Sequence, residues 1–136
     1  MNETQTTTAT TCRDAAETGS MPFPMIIVEL IGAGFERYSL DFARSTATYY
    51  HADGDSLILD VPRVDATIAQ TFDAAAISAA IKEAQQGAPG YTFPGFRKKA
   101  MLAGCVGYFV SFVGKRVVYL GRTGDFHVEH FPQAKS

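Results

Sequence analysis

The sequence has 136 residues, a net charge of −2, and 46% hydrophobic and 19% charged residues, enough for one domain with its own hydrophobic core. The weak negative charge does not suit a surface for nucleic acid or anionic lipid, and no apolar run approaches the roughly 18 residues that span a bilayer. These totals favour one globular domain that binds neither nucleic acid nor membrane. The first 20 residues lack the pattern of a signal peptide, and the two cysteines make a poor disulfide pair, so we expect a cytoplasmic protein.

Residues 1–20, MNETQTTTATTCRDAAETGS, are rich in Thr and Ala and contain no large apolar side chain after Met1. Such a segment buries too little surface to offset the entropy lost in ordering it. The sequence therefore predicts a disordered tail over 1–20 and a single domain over 21–136. Because Cys12 falls in the tail and Cys105 in an apolar segment, we predict no disulfide.

The first apolar segment, Phe23–Ile31, has a proline near its first turn and a glycine just past its end, a pattern typical of helices. Alternating segments with turn signals then predict three strands, and Asp53-Gly54 indicates a two-residue hairpin loop. An Ala-rich stretch with an apolar stripe that stops at Gly87 predicts a helix near 73–87. A second helix, Phe93–Leu102, and three more strands complete the chain.

Residues 23–62 align with residues 93–132 when the chain is shifted by 70 positions. The alignment has no gap and contains ten identities in 40 positions, against about two or three expected by chance. The identical pairs are Phe23/Phe93, Pro24/Pro94, Ala33/Ala103, Gly34/Gly104, Tyr38/Tyr108, Phe42/Phe112, Tyr49/Tyr119, Gly54/Gly124, Asp55/Asp125 and Pro62/Pro132. The predicted fold is α+β: two internally duplicated α-β-β-β units joined by a linking helix, with antiparallel sheets packed on helices.

Alternation along the strands assigns the side chains to the two faces of the sheet. The repeated aromatic residues share one face, which we expect the helices to cover. The tyrosines on that face either line a pocket between the repeats or pack in the core with their hydroxyls at its rim. The same alternation directs two histidines and an aspartate toward the covered side as polar or acid–base groups, unless they lie at strand ends in solvent. The ligand-binding candidates are Tyr38, Tyr49, His51, Asp60, Tyr108, Tyr119 and His130.

The run His127-Val128-Glu129-His130 has the composition of a metal or catalytic site. In a strand, however, His127 and Glu129 point to the outer face while His130 points the other way, and a metal site needs three converging ligands. We therefore predict a solvated strand edge and no metal. No nucleophile-elbow, phosphate-binding or dinucleotide-binding motif is present, so we predict no cofactor. The basic run 96–99, FRKK, is typical of a solvated helix face.

Two stretches resemble the YbcV-type family of bacterial proteins, sometimes labelled phage envelope protein. They are ERYSLDFARSTATYYHADGDSLIL in the first repeat and AGCVGY with YLGRTGDFHVEHFP in the second. The resemblance extends over nearly all of the chain after residue 20. It implies the same domain, and it assigns no catalytic or binding residue.

Three functions are consistent with the sequence, and whether the protein is an enzyme stays open. The first is a non-catalytic binding or protein-interaction module, a homodimer joined through the more apolar outer face of the second repeat. The second is a small-molecule binder or enzyme with a tyrosine-lined pocket between the repeats. The third is a phage-associated protein.

Overall fold

The structure, a computed structural model, describes residues 1–131 and has an α+β fold, as the sequence predicts. Pro132, the last position of the predicted repeat, lies outside the described residues. No helix within the described part is long and apolar enough to cross a membrane. The elements are α1 (Glu3–Thr18), α2 (Phe23–Gly32), β1 (Phe35–Asp41), β2 (Thr46–His51), β3 (Ser56–Asp60), α3 (Ala74–Gln86), α4 (Phe93–Leu102), β4 (Cys105–Ser111), β5 (Arg116–Gly121) and β6 (Phe126–His130).

The six strands form one antiparallel sheet in the order β3-β2-β1-β4-β5-β6. The two central strands pair from Arg37 opposite Ser111 to Asp41 opposite Gly107, so the strands of both predicted units belong to one sheet rather than two. One face of this sheet is buried in a core that it shares with all four helices. The opposite face is half-buried or exposed except at Gly107, which is buried. We call the buried face the inner face and the other the outer face.

The prediction of a disordered tail is wrong, because residues Glu3–Thr18 form helix α1. Asn2 and Gln5 cap its start reciprocally, and Gly19 ends it with a left-handed φ of 73°. Its buried side chains are small and recur every three residues: Ala9, Cys12 and Ala15. The sequence argument weighed only large apolar side chains, whereas small ones let a helix lie close to its neighbours and be ordered by them.

The chain repeats an α-α-β-β-β order, since α1 precedes the first copy as α3 precedes the second. The strand registers also recur at an offset of 70 residues: Tyr38 lies opposite Tyr49, and Tyr108 lies opposite Tyr119. The helix predicted as a linker thus has a counterpart in α1. The evolutionary duplication stays a prediction, since registers describe geometry rather than descent.

The hairpin loops between β2 and β3 and between β5 and β6 contain three residues rather than two. The backbone N–H of His51 donates to the Asp55 carbonyl at 2.8 Å, and that of Gly121 donates to the Asp125 carbonyl at 2.7 Å. The last loop residue in each, Gly54 or Gly124, has a left-handed φ, as a three-residue hairpin requires. One extra loop residue exchanges the two faces of the following strand. The face assignments of β3 and β6 are therefore opposite to those predicted.

Candidate functional site

A cavity of about 640 Å³ lies between the inner face of the sheet and the helices. Its walls come from all four helices and from every strand except β3. Apolar side chains make up much of the wall, and exposed residues, including Gln85 and Tyr91, lie at its rim. The four predicted tyrosines all line it: Tyr38, Tyr49, Tyr108 and Tyr119. We call it the tyrosine cavity.

The tyrosines form two cross-strand pairs, one from each half of the chain. The rings of Tyr38 and Tyr49 are stacked, with centroids 5.3 Å apart and planes inclined by 27°. Those of Tyr108 and Tyr119 are 5.5 Å apart and inclined by 45°. Because β1 pairs with β4, the two aromatic pairs lie side by side across the centre of the sheet. This placement brings together residues that are up to 81 positions apart in the chain.

The hydroxyls of these tyrosines make no hydrogen bond to any residue within 1–131. No buried side-chain nitrogen or oxygen in that part of the chain lacks a partner, so the four oxygens are accessible from the cavity rather than sealed in the core. Burial raises the pKa of Tyr38 and Tyr108 well above that of an ordinary phenol, and raises those of Tyr49 and Tyr119. The groups therefore stay neutral, and each hydroxyl can donate or accept a hydrogen bond at the cavity wall.

The two candidates at the strand ends, Asp60 and His130, are not directed into the core as predicted. Asp60 lies opposite Thr46 and His130 opposite Arg116, and both are exposed on the outer face. The three-residue loops that precede their strands are the physical reason. His130 still contributes to the cavity rim, whereas Asp60 does not line the cavity.

His51 lies on the inner face but outside the cavity, at the end of β2. Its Nε2 is 2.8 Å from the Gln5 amide nitrogen, which donates to it, and its Nδ1 is 3.1 Å from the Asp53 carboxylate. The imidazole also packs against Phe35, with ring centroids 5.7 Å apart. These contacts hold α1 against the sheet. The structure thus separates His51 from the four tyrosines with which the sequence grouped it.

Because the face assignment of β6 is opposite to the predicted one, His127 and Glu129 lie on the inner face of the sheet. His127 lies opposite Tyr119, and Glu129 lies opposite the buried Val117. The Nε2 of His127 is 3.2 Å from a Glu129 carboxylate oxygen, and Glu129 lines the cavity. The prediction of a solvated outer edge is therefore wrong for both. Nowhere in residues 1–131 do three His, Cys, Asp or Glu side chains come close enough together to hold a metal ion.

A buried ion pair lies beside the cavity, and its acidic member, Glu17, lines the cavity wall. The Arg97 side chain is 3% exposed and makes a two-point contact with the Glu17 carboxylate, and it donates to the Pro62 carbonyl at 3.0 Å. The prediction of a solvated FRKK run is thus wrong for Arg97. The signal was present, because helical spacing from Phe93 and Ala100 places Arg97 on the apolar face of α4.

The sequence profile of the family described as "Protein of unknown function (DUF1398)" matches residues 12–129. The chain belongs to this family. The DUF1398 match runs from within α1 to within β6, so it includes all four cavity tyrosines, the Glu17–Arg97 pair and the His127–Glu129 pair. None of the curated proteins matches the chain.

Both cysteines of this DUF1398 protein are free and buried. Burial raises the pKa of the Cys12 thiol to about 11 and that of the Cys105 thiol to about 11. Cys12 lines the tyrosine cavity, and Cys105 does not. Both thiols are protonated at neutral pH and are therefore weak nucleophiles.

Proposed function

We propose that the chain binds a small, mostly apolar molecule that carries hydrogen-bonding groups, in the tyrosine cavity. The observation that supports the proposal is the set of four tyrosine hydroxyls at the cavity wall, which have no partner within residues 1–131. Because these hydroxyls are accessible from the cavity, a molecule bound there can form hydrogen bonds with them in place of water. The volume of about 640 Å³ falls in the range of small-molecule sites.

The proposal is binding rather than a reaction. Neutral phenols on apolar walls orient a ligand through hydrogen bonds without transferring charge to it. The thiol in the cavity, Cys12, has a pKa of about 11 and is not activated for attack. The stacked aromatic rings suit a ligand with a flat or branched apolar body.

The test is native mass spectrometry of the full chain, purified without denaturation from its own cells. We expect a reproducible mass excess that is lost when the protein unfolds. The double variant Tyr38→Phe/Tyr108→Phe should reduce the occupied fraction, because it removes two hydroxyls from the cavity wall. Its stability should change little, since neither hydroxyl bonds to a described residue.

The matched control is Tyr50→Phe. Tyr50 is half-buried on the outer face, where the Arg37 guanidinium lies 4.1 Å from its ring centre, a contact that phenylalanine keeps. This variant should retain the mass excess of the wild type. An apo mass in every wild-type preparation would count against the proposal, and so would equal loss of ligand in the cavity and control variants.

A second candidate is a protein-interaction module that forms a homodimer through the outer face of the second half. The supporting observation is an apolar pair there: Leu120 and Phe126 lie opposite each other and are 44% and 65% exposed. The same spectra test it, because a dimer mass that Phe126→Ser abolishes would favour it. Membership of the YbcV-type family stays a prediction, and so does the phage association of its label, which copurification with phage particles would test.

A further inference from the structure

The two edges of the sheet differ in chemistry although their backbones correspond. On β3 the inward side chains are Leu57 and Leu59, and both pack against the core. At an offset of 70 residues, β6 carries His127 and Glu129 on its inner face. The tyrosines, by contrast, are the same in both halves. Of the four inward side chains of β3 and β6, only Glu129 lines the tyrosine cavity, so the edge strand of the second half brings a carboxylate to it and that of the first half brings nothing.

Glu129 is directed toward the aromatic wall of the cavity. Its backbone pairs with that of Val117, and its side chain is only 33% exposed although β6 is an edge strand. Burial raises the pKa of the Tyr119 phenol, and the negative charge of Glu129 adds to the shift. Tyr119 in turn contacts Phe96 edge to face, with ring centroids 6.2 Å apart. The carboxylate thus shares one wall with aromatic rings.

Two other charged side chains that line the cavity, Glu17 and Arg13, each form an ion pair with a side chain of opposite charge. Glu17 is held by Arg97, and Arg13 contacts the Asp14 carboxylate at 3.0 Å. The partner of Glu129 within residues 1–131 is the His127 imidazole, whose Nε2 lies 3.2 Å from a Glu129 carboxylate oxygen. Among the carboxylates of the described chain that line the cavity, Glu17 is paired with an arginine, whereas Glu129 has no arginine or lysine partner.

We propose that the cavity selects a ligand with one positively charged nitrogen on an apolar body, with the nitrogen at Glu129. This inference rests on the proposed binding function. A carboxylate and the faces of aromatic rings both attract a cation, and they do so more strongly in a site that is partly shielded from water. The His127 imidazole holds the carboxylate in place through the 3.2 Å contact. An anionic ligand would meet repulsion from the same wall.

The test compares three probes of similar shape: 2-phenylethylamine, which is a cation at neutral pH, 2-phenylethanol, which is neutral, and 3-phenylpropionate, which is an anion. Each is titrated into the full chain in the millimolar range, because fragments of this size bind weakly, and binding is followed by amide chemical shifts. We expect the amine to bind at least tenfold more tightly than the alcohol, a factor equal to about 1.4 kcal/mol. The anion should bind least.

The variant Glu129→Gln should bind the amine and the alcohol equally, since it keeps the shape of the side chain and removes its charge. Glu36→Gln is the matched control, because it removes one carboxylate from β1 at a position that does not line the cavity. It should keep the preference for the amine.

Equal binding of the amine and the alcohol to the wild type would overturn the inference and leave the proposed binding function standing. Preferred binding of the anion would also overturn it. If the preference for the amine persisted in Glu129→Gln, the carboxylate would not be its source. Failure of all three probes to shift any cavity residue would count against the binding function itself.

Discussion

Replacing Arg97 by methionine should destabilise the protein far more than a substitution on a solvated helix face, which is what the basic run 96–99 predicts for this residue. The Arg97 guanidinium contacts both oxygens of Glu17 and the Pro62 carbonyl, and its side chain is 3% exposed. Glu17 is itself only 14% exposed. Arg97→Met keeps an apolar stem in place but leaves a carboxylate in a poorly hydrated position without a cation.

The magnitude follows from that geometry. Removing one partner of a buried ion pair costs about 3 to 5 kcal/mol, and the partial exposure of Glu17 favours the lower end, about 3 kcal/mol. A domain of this size is stable by roughly 5 to 15 kcal/mol, so the variant should lose a large share of its stability. Its Tm should fall by on the order of 10 °C. The double variant Arg97→Met/Glu17→Leu should recover most of the loss, because it buries no unpaired charge.

The assay is urea denaturation followed by far-UV circular dichroism, since the chain contains no tryptophan. Lys99→Met is the matched control on the same helix: Lys99 pairs with Glu83, and the two side chains are 57% and 45% exposed. An exposed pair contributes about 0.5 kcal/mol or less. If Arg97→Met lost no more stability than Lys99→Met, the pair would not be buried in solution and the reasoning would be refuted.

Gly104 and Gly124 have almost the same left-handed φ, 89° and 87°, but a Cβ on Gly104 would lie 2.2 Å from a backbone oxygen whereas one on Gly124 would meet nothing. Gly124→Ala should therefore lower the free energy of unfolding, measured by urea denaturation, by about 1 to 2 kcal/mol, and Gly104→Ala should lower it clearly more. Equal losses in the two variants would contradict the close approach of the backbone at Gly104. Cys105, which lies outside the cavity, should react with a thiol reagent only after unfolding, and rapid reaction in the native protein would contradict its burial. Because folding raises the pKa values of the Cys12 and Cys105 thiols from 9.0 to about 11, their contribution to stability is complete below about pH 9 and is lost as the pH rises toward 11. Urea midpoints measured across that range should fall less in the variant that replaces both cysteines by alanine.

Local rules predicted most of the secondary structure. Proline near the first turn and glycine after the last located α2 and α4, and the apolar stripe located α3. The α+β class and the shared face of the repeated tyrosines followed from alternation and from the offset of 70 residues. The capping, turn and alternation signals act over a few residues and the offset is a comparison along the chain, so all of them can be read without knowing the tertiary contacts.

Two local errors had consequences for the site. A loop of three residues instead of two reversed the faces of β3 and β6, which moved Asp60 and His130 outward and brought Glu129 to the cavity. Sequence signals for a two-residue and a three-residue loop overlap at Asp53-Gly54, since both accept glycine with a left-handed φ. The face to which each β3 side chain points therefore depends on one backbone hydrogen bond, from His51 to Asp55.

The sequence by itself determined the helices α2 to α4, the strands, and the common face of the tyrosines, because periodicity and turn chemistry are local properties of the chain. The tertiary structure alone decided that α1 is ordered, that Arg97 and Glu17 meet across 80 residues, and that two halves share one sheet around a cavity. The physical reason is that residues distant in the sequence determine whether a stripe of small apolar side chains is covered, whether a charge is paired, and whether a hydroxyl has a hydrogen-bond partner. Burial and charge pairing are properties of that packing.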